Sequence, residues 1–237
     1  DLMSAMVQGI VKTVGAERIM TQAESEQRVI GIPFPSLALA YAFKNDVFPF
    51  SRITLLNGVQ SAGKTSFLLE ITRWFLLYGG FGLDIENETK DSPDIRAGVL
   101  EHRDAWVSPE SSVMRIVQAD SVDVWQGVMT NGLNHANKYM DKVGRSSPVL
   151  VGLDSVAGTL SDNQNSDVDT KGYATRGYSD VALMTSKYMQ AMPPKILNRP
   201  IAVVGIQHLK ESIDPRTYAK IRTTPGGKAL KFYETFE

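Results

Sequence analysis

The sequence predicts an α/β fold: a mainly parallel, twisted sheet with helices on both faces, plus a short helix at the amino terminus. Three observations predict it. Five apolar runs lack the polar alternation of a half-exposed sheet and read as buried strands: Arg52–Leu56, Phe81–Ile85, Met114–Val117, Pro148–Leu153 and Pro200–Ile206. Helical patterns fall between them, which is the order of crossover units. A glycine-bearing turn, Gly58 to Thr65, joins the first strand to the first of those helices.

Each element has its own signal. Met3, Met6, Val7, Ile10 and Val11 fall on one helical face, in a helix ending near Gly15. Thr65–Leu77 reads as a helix closed by Gly79-Gly80, a C-terminal stop. Ser121 opens another, with apolar positions at Val122, Trp125, Val128, Met129, Leu133 and Met140. A third runs from about Ser179 to Met192, before Pro193-Pro194. Two polar stretches interrupt the order, at 161–178 and 210–227; long loops in a compact domain usually carry function. The expected organisation is an amino-terminal oligomerisation helix and linker over 1–25, followed by one core over 26–237.

Composition narrows the function. The 237 residues are 43% apolar, enough for a sizeable interior, and carry a net charge of −1, so affinity for a polyanion must come from local clustering. There is no cysteine, which excludes disulfides and thiolate chemistry, and His102, His135 and His208 have no metal-ligand spacing. The sequence contains no signal-peptide pattern and no apolar run long enough to span a bilayer, so a soluble, cytoplasmic protein is expected, with no membrane partner. The abrupt start at Asp1 and stop at Glu237 suggest a fragment.

The segment Gly58-Val59-Gln60-Ser61-Ala62-Gly63-Lys64-Thr65 fits G-x-x-x-x-G-K-[ST]. Its glycines let successive backbone N–H groups turn toward phosphate oxygens, and the helix that follows adds its positive end. Gly58, Gln60, Ser61, Ala62, Gly63, Lys64, Thr65 and Ser66 are the candidate nucleotide-binding residues, with Lys64 on the β- and γ-phosphates and the Thr65 hydroxyl on Mg²⁺. Asp154 ends a second apolar strand, where a carboxylate can hold the same metal; by itself a strand-terminal Asp is also a common turn residue. A third acidic group, Asp84-Ile85-Glu86-Asn87-Glu88, ends the strand at 81–85. Glu86 is the better candidate base for an attacking water, with Glu88 the alternative and a solvated acidic loop the ordinary reading. ATP and Mg²⁺ are the cofactors these motifs call for.

Taken in order, these segments resemble the RecA family of DNA strand-exchange recombinases. Arg52-Ile53-Thr54-Leu55-Leu56-Asn57-Gly58, Leu83-Asp84-Ile85-Glu86-Asn87 and Leu153-Asp154-Ser155-Val156-Ala157 are each similar to a family segment. The most specific match is Thr223-Thr224-Pro225-Gly226-Gly227-Lys228-Ala229-Leu230-Lys231-Phe232-Tyr233, a stretch that general P-loop ATPases lack. The resemblance implies a RecA-like P-loop NTPase core in which Glu86 activates water. It also implies that Gln207 senses the γ-phosphate and passes the signal into the family's second DNA loop, and that Lys231 reaches ATP on the neighbouring protomer. The amino-terminal helix would pack on an adjacent subunit of a helical filament, and the filament would pair single- and double-stranded DNA with DNA-stimulated ATP hydrolysis. A hexameric helicase-type motor and an ATP-switched filament protein share the core fold and are the alternatives. The chain departs from the family in carrying Ile206 rather than Asn before Gln207, His208 after it, and Pro225 before the glycine pair.

The two polar stretches occupy the positions of the family's DNA loops. Between Gln207 and Lys231 there are six cations, Lys210, Arg216, Lys220, Arg222, Lys228 and Lys231, against Glu211 and Asp214, a local charge of +4. With Gly226 and Gly227 they suit a phosphate backbone; a charged solvated loop is the reading without the resemblance. In the first stretch, Asp162, Asp167 and Asp169 outnumber the cations, and Arg176 and Tyr178 are the candidate DNA contacts. His208 has two readings, a place in the phosphate relay beside Gln207 or a local hydrogen bond.

Overall fold

The structure, a computed structural model, describes residues 2–14, 30–87, 114–144, 147–156, 160–162, 164, 166, 179–213, 220–223 and 234–236. The chain divides into a short unit, 1–30, and a compact one, 31–237. The short unit holds α1 (Leu2–Val14), with Met6 and Ile10 exposed on it and Lys12 in its last turn.

In the compact unit the strands and helices follow as β1 (Gly31–Pro33), α2 (Leu37–Phe43), β2 (Val47–Pro49), β3 (Arg52–Gly58), α3 (Lys64–Leu77), β4 (Phe81–Glu86), β5 (Met114–Gln118), α4 (Val122–Val143), β6 (Val149–Asp154), α5 (Ser179–Ala191), α6 (Pro193–Ile196), β7 (Ile201–His208), β8 (Lys210–Ile213), β9 (Lys220–Thr223) and β10 (Glu234–Phe236). Among the described residues, six strands form one sheet in the order β10-β3-β7-β6-β4-β5, and every pairing in it is parallel. This is the predicted α/β sheet. No described helix is long and apolar enough to cross a membrane.

Strand alternation sorts the side chains into two layers. Ile53, Leu55, Val151, Leu153, Ile201 and Val203 face a cluster built on Trp125, Met129 and Leu133 of α4, all three fully buried. Each such side chain contributes roughly 1.5–3 kcal/mol by leaving water. Leu150, Ala202, Val204 and Ile206 face the opposite layer, where Leu68, Ile71, Trp74 and Phe75 of α3 cover them. Ser121 caps α4 by accepting from the Val124 N–H at 3.3 Å, as its sequence position predicts.

Two small antiparallel features lie outside the predicted pattern. β1, α2 and β2 form a small antiparallel arch in which Phe34 and Phe43 each meet Phe48 edgewise, Phe34 packs edgewise on Trp74, and Phe48 packs edgewise on Phe75 of α3. Ser36 caps α2, and Lys44 ends it in the left-handed region. The stretch 210–227, read from sequence as loop, contains the antiparallel ladder β8–β9, pairing Lys210 with Thr223 and Ile213 with Lys220.

Gly80 closes the turn from α3 into β4, its N–H donating to the Phe75 carbonyl at 2.9 Å. A Cβ there would lie 2.5 Å from the Pro148 carbonyl oxygen and 2.7 Å from that of Phe75, and neither backbone group has room to yield. Gly80→Ala is expected to destabilise the fold by about 2 kcal/mol. Urea unfolding checks this, and an unchanged midpoint would contradict the packing described.

Candidate functional site

The parallel register places the carboxyl ends of four strands in one row. Glu86 pairs with Asp154, Asn57 with Gln207 and Gly58 with His208. Hydrogen bonds extend the row beyond the strands: Asn87 N–H to Asp154 O at 2.7 Å, Ala119 N–H to Glu86 O at 2.7 Å, Val156 N–H to Ile206 O at 2.9 Å and Leu209 N–H to Gly58 O at 3.0 Å. Asn87 also donates its side-chain amide to the Ser155 carbonyl. Asn87 was missed as a site residue in the sequence, where an amide after the acid looks like loop filler; here it ties the end of β4 to the residues that follow Asp154. The Asp154–Ser155 peptide is cis.

The glycine loop springs from the end of β3. Ser61 and Gly63 adopt positive φ, 61° and 81°, which turns the chain sharply into α3. A Cβ at Gly63 would meet nothing, so glycine serves backbone conformation there and not space. Gly63 is also the N-cap of α3 and supplies no side-chain cap. The first N–H groups of the helix therefore lack that partner, an arrangement that suits an anion. Gln60, Ser61, Ala62, Gly63 and Ser66 are exposed. Lys64 is buried, its Nζ donating to the carbonyls of Gly58 at 3.1 Å and Val59 at 2.7 Å. Thr65, one residue into the helix, donates its hydroxyl to Asp154 Oδ2 at 2.6 Å.

Two carboxylates sit beside this contact on one face. Gly82 and Gly152 point toward α3, since a Cβ on them would meet Thr72 and Leu68 respectively, and alternation then puts Asp84, Glu86 and Asp154 on that same face. Glu86 is 6% exposed and Asp84 only 4%, so both carboxylates are held in a poorly hydrated layer. Gly152 makes the room for Asp84, whose Oδ1 lies 3.0 Å from where a Gly152 Cβ would sit.

Gln207 is buried and lies on the other face of the sheet. A Cβ at Gly205, two residues earlier, would meet Val156 and Leu55, members of the Trp125 layer. Gln207 thus sits near Val156, at the root of the 161–178 stretch, whereas His208 sits on the α3 side with the glycine loop. The sequence left His208 with two readings, a place beside Gln207 in the phosphate relay or a local hydrogen bond; strand alternation places the two side chains on opposite faces.

Thus Gly58, Lys64, Thr65, Glu86 and Asp154 come together, with Gln207 at the same sheet edge. Lys210, Lys220 and Arg222 lie on the β8–β9 ladder. Arg176, Tyr178, Arg216, Gly226, Gly227, Lys228 and Lys231, and the alternative base Glu88, lie outside the described residues.

This edge can hold an anion by backbone N–H groups and a lysine, and a hard cation by a hydroxyl and a carboxylate. The family model for the RecA N-terminal domain matches residues 1–237. Protein RecA of Streptococcus gordonii is 29% identical over 231 residues, covering 96% of this chain and 54% of that protein. Protein RecA of Streptococcus agalactiae (serotype III) is 28% identical over 233 residues, covering 97% and 55%. Protein RecA of Streptococcus pneumoniae (Hungary19A-6) is 29% identical over 228 residues, covering 94% and 52%. The chain spans about half the length of the curated relatives it matches. The match over its whole length shows that it belongs to the RecA family.

Proposed function

We propose that this chain is the ATPase core of a DNA recombinase that assembles as a filament on single-stranded DNA and promotes pairing and strand exchange. The observation that carries the reading is the Thr65–Asp154 contact beneath the glycine loop, with Lys64 and Glu86 beside it. Gly58 and residues 60–66 cradle the triphosphate. Lys64 leaves the Gly58 and Val59 carbonyls for phosphate oxygens.

The hydroxyl of Thr65 and the carboxylate of Asp154 are hard oxygen donors already within hydrogen-bond distance of each other, a donor set that fits Mg²⁺. When bound, the ion neutralises charge on the terminal phosphates. Glu86, buried on the same face and paired in register with Asp154, takes the proton of the attacking water. Gln207 responds to the γ-phosphate from the other side of β7 and passes the change into the second DNA segment, 210–227. Lys231 reaches the nucleotide of the next protomer, so the shared site is completed by assembly. The exposed Met6 and Ile10 of α1 (57% and 43%) are the apolar groups that pack on that protomer, in an oligomerisation unit over 1–25 with the core at 26–237.

DNA is held by two segments, about 161–178 and 210–227. Lys210, Lys220 and Arg222 on the β8–β9 ladder, with Arg216, Lys228, Gly226, Gly227, Arg176 and Tyr178, supply the phosphate and base contacts.

Single-stranded DNA is expected to raise the rate of ATP hydrolysis several-fold, and rising salt to remove the stimulation as counterion release loses its driving force. Lys64→Ala is expected to abolish hydrolysis with and without DNA. Steady-state phosphate release checks both. Robust hydrolysis indifferent to DNA would contradict the recombinase reading while leaving a nucleotide hydrolase.

A further inference from the structure

We infer that His208 is a nucleotide contact that reads the terminal phosphate from the glycine-loop face of the sheet, opposite to Gln207. The inference rests on the nucleotide reading above. Its geometry is independent of which residue activates water.

His208 is the last residue of β7 and is paired in parallel register with Gly58. Residues paired this way point to the same face on strands about 4.8 Å apart. The face is fixed by Gly58: a Cβ there would lie 3.4 Å from Lys64 Cδ, 3.6 Å from Ala62 Cβ and 3.7 Å from Lys64 Cγ. A side chain at 208 therefore rises beside the Lys64 stem and the glycine loop. Gly58, which has no side chain, puts nothing of its own between the imidazole and that stem. Both ring nitrogens are shielded from bulk water, although the residue as a whole is only half-buried. A hydrogen bond from a shielded imidazole to a phosphate oxygen is charge-assisted and stronger than one made in open solvent.

The position also explains what such a contact transmits. Leu209 N–H donates to Gly58 O at 3.0 Å, and β8 begins at Lys210. A pull on His208 by the terminal phosphate therefore acts at the junction between the glycine loop and the basic β8–β9 ladder. The side of β7 that carries Gln207 faces Val156 and the root of the other stretch. The two neighbours on one strand thus connect one phosphate to two different segments.

The test is competition binding against a fluorescent ADP, using ADP and a non-hydrolysable ATP analogue in the presence of Mg²⁺. Wild-type chain, His208→Ala and His208→Gln are compared, with thermal melting run in parallel. In His208→Ala the preference for the ATP analogue over ADP is expected to fall about tenfold, the size of one lost hydrogen bond to a charged group, with ADP affinity unchanged. His208→Gln, which keeps an N–H donor, is expected to recover most of it. An unchanged preference in His208→Ala, or equal loss of both nucleotides, would overturn the assignment. Lys64→Ala separates the underlying reading: if that variant still binds ADP normally, the nucleotide does not sit on the glycine loop and both proposals fail.

Discussion

The constraint on which the rest depends is the shared register of β3, β7, β6 and β4. Parallel pairing without a slip brings Gly58, His208, Asp154 and Glu86 to one edge of the sheet. A one-residue shift of any strand would send its terminal side chain to the opposite face. The Thr65–Asp154 hydrogen bond is the point at which this edge is tied to a helix, joining the start of α3 to the end of β6. The apolar faces on both sides hold the register, since a slip would move Val203 or Leu153 out of the Trp125 layer.

That arrangement separates two kinds of chemistry at one edge. The α3 face carries the carboxylates Asp84, Glu86 and Asp154, and Lys64 at the start of α3 reaches the Gly58 and Val59 carbonyls of the glycine loop. The opposite face carries Gln207 over the hydrophobic α4–α5 layer, close to Val156. β7 spans both, because adjacent residues on a strand point to opposite sides. A ligand that pulls on the end of β7 would act on both layers at once, which is how the proposed nucleotide site would be coupled to the segments that follow Val156 and His208.

Much of this was legible in the sequence, and the reasons are specific. β3, β4, β6 and β7 are continuous apolar runs because the sheet is covered on both faces, and that signal survives without structural information. The glycine loop was legible because its residue types are demanded by its backbone, as the positive φ of Gly63 shows. The β1–α2–β2 arch was not: its strands are three residues long, contain Pro33 and Pro49, and depend on long-range stacking of Phe34 and Phe48 onto α3. Lys-Glu-Ser-Ile and Lys-Ile-Arg-Thr read as charged loop because their pairing partner is each other, not an apolar core. The faces of Gln207 and His208 were hidden for a different reason. They follow from register with β3, which composition does not encode.

The proposed role of the Thr65–Asp154 pair is to hold the metal ion of a bound nucleotide. Calorimetric titration of a non-hydrolysable ATP analogue, with and without Mg²⁺, tests it most directly when wild type is compared with Asp154→Asn. Mg²⁺ is expected to strengthen binding to the wild type, with most of this gain absent in Asp154→Asn and metal-free binding preserved. An equal gain from Mg²⁺ in both proteins would contradict it.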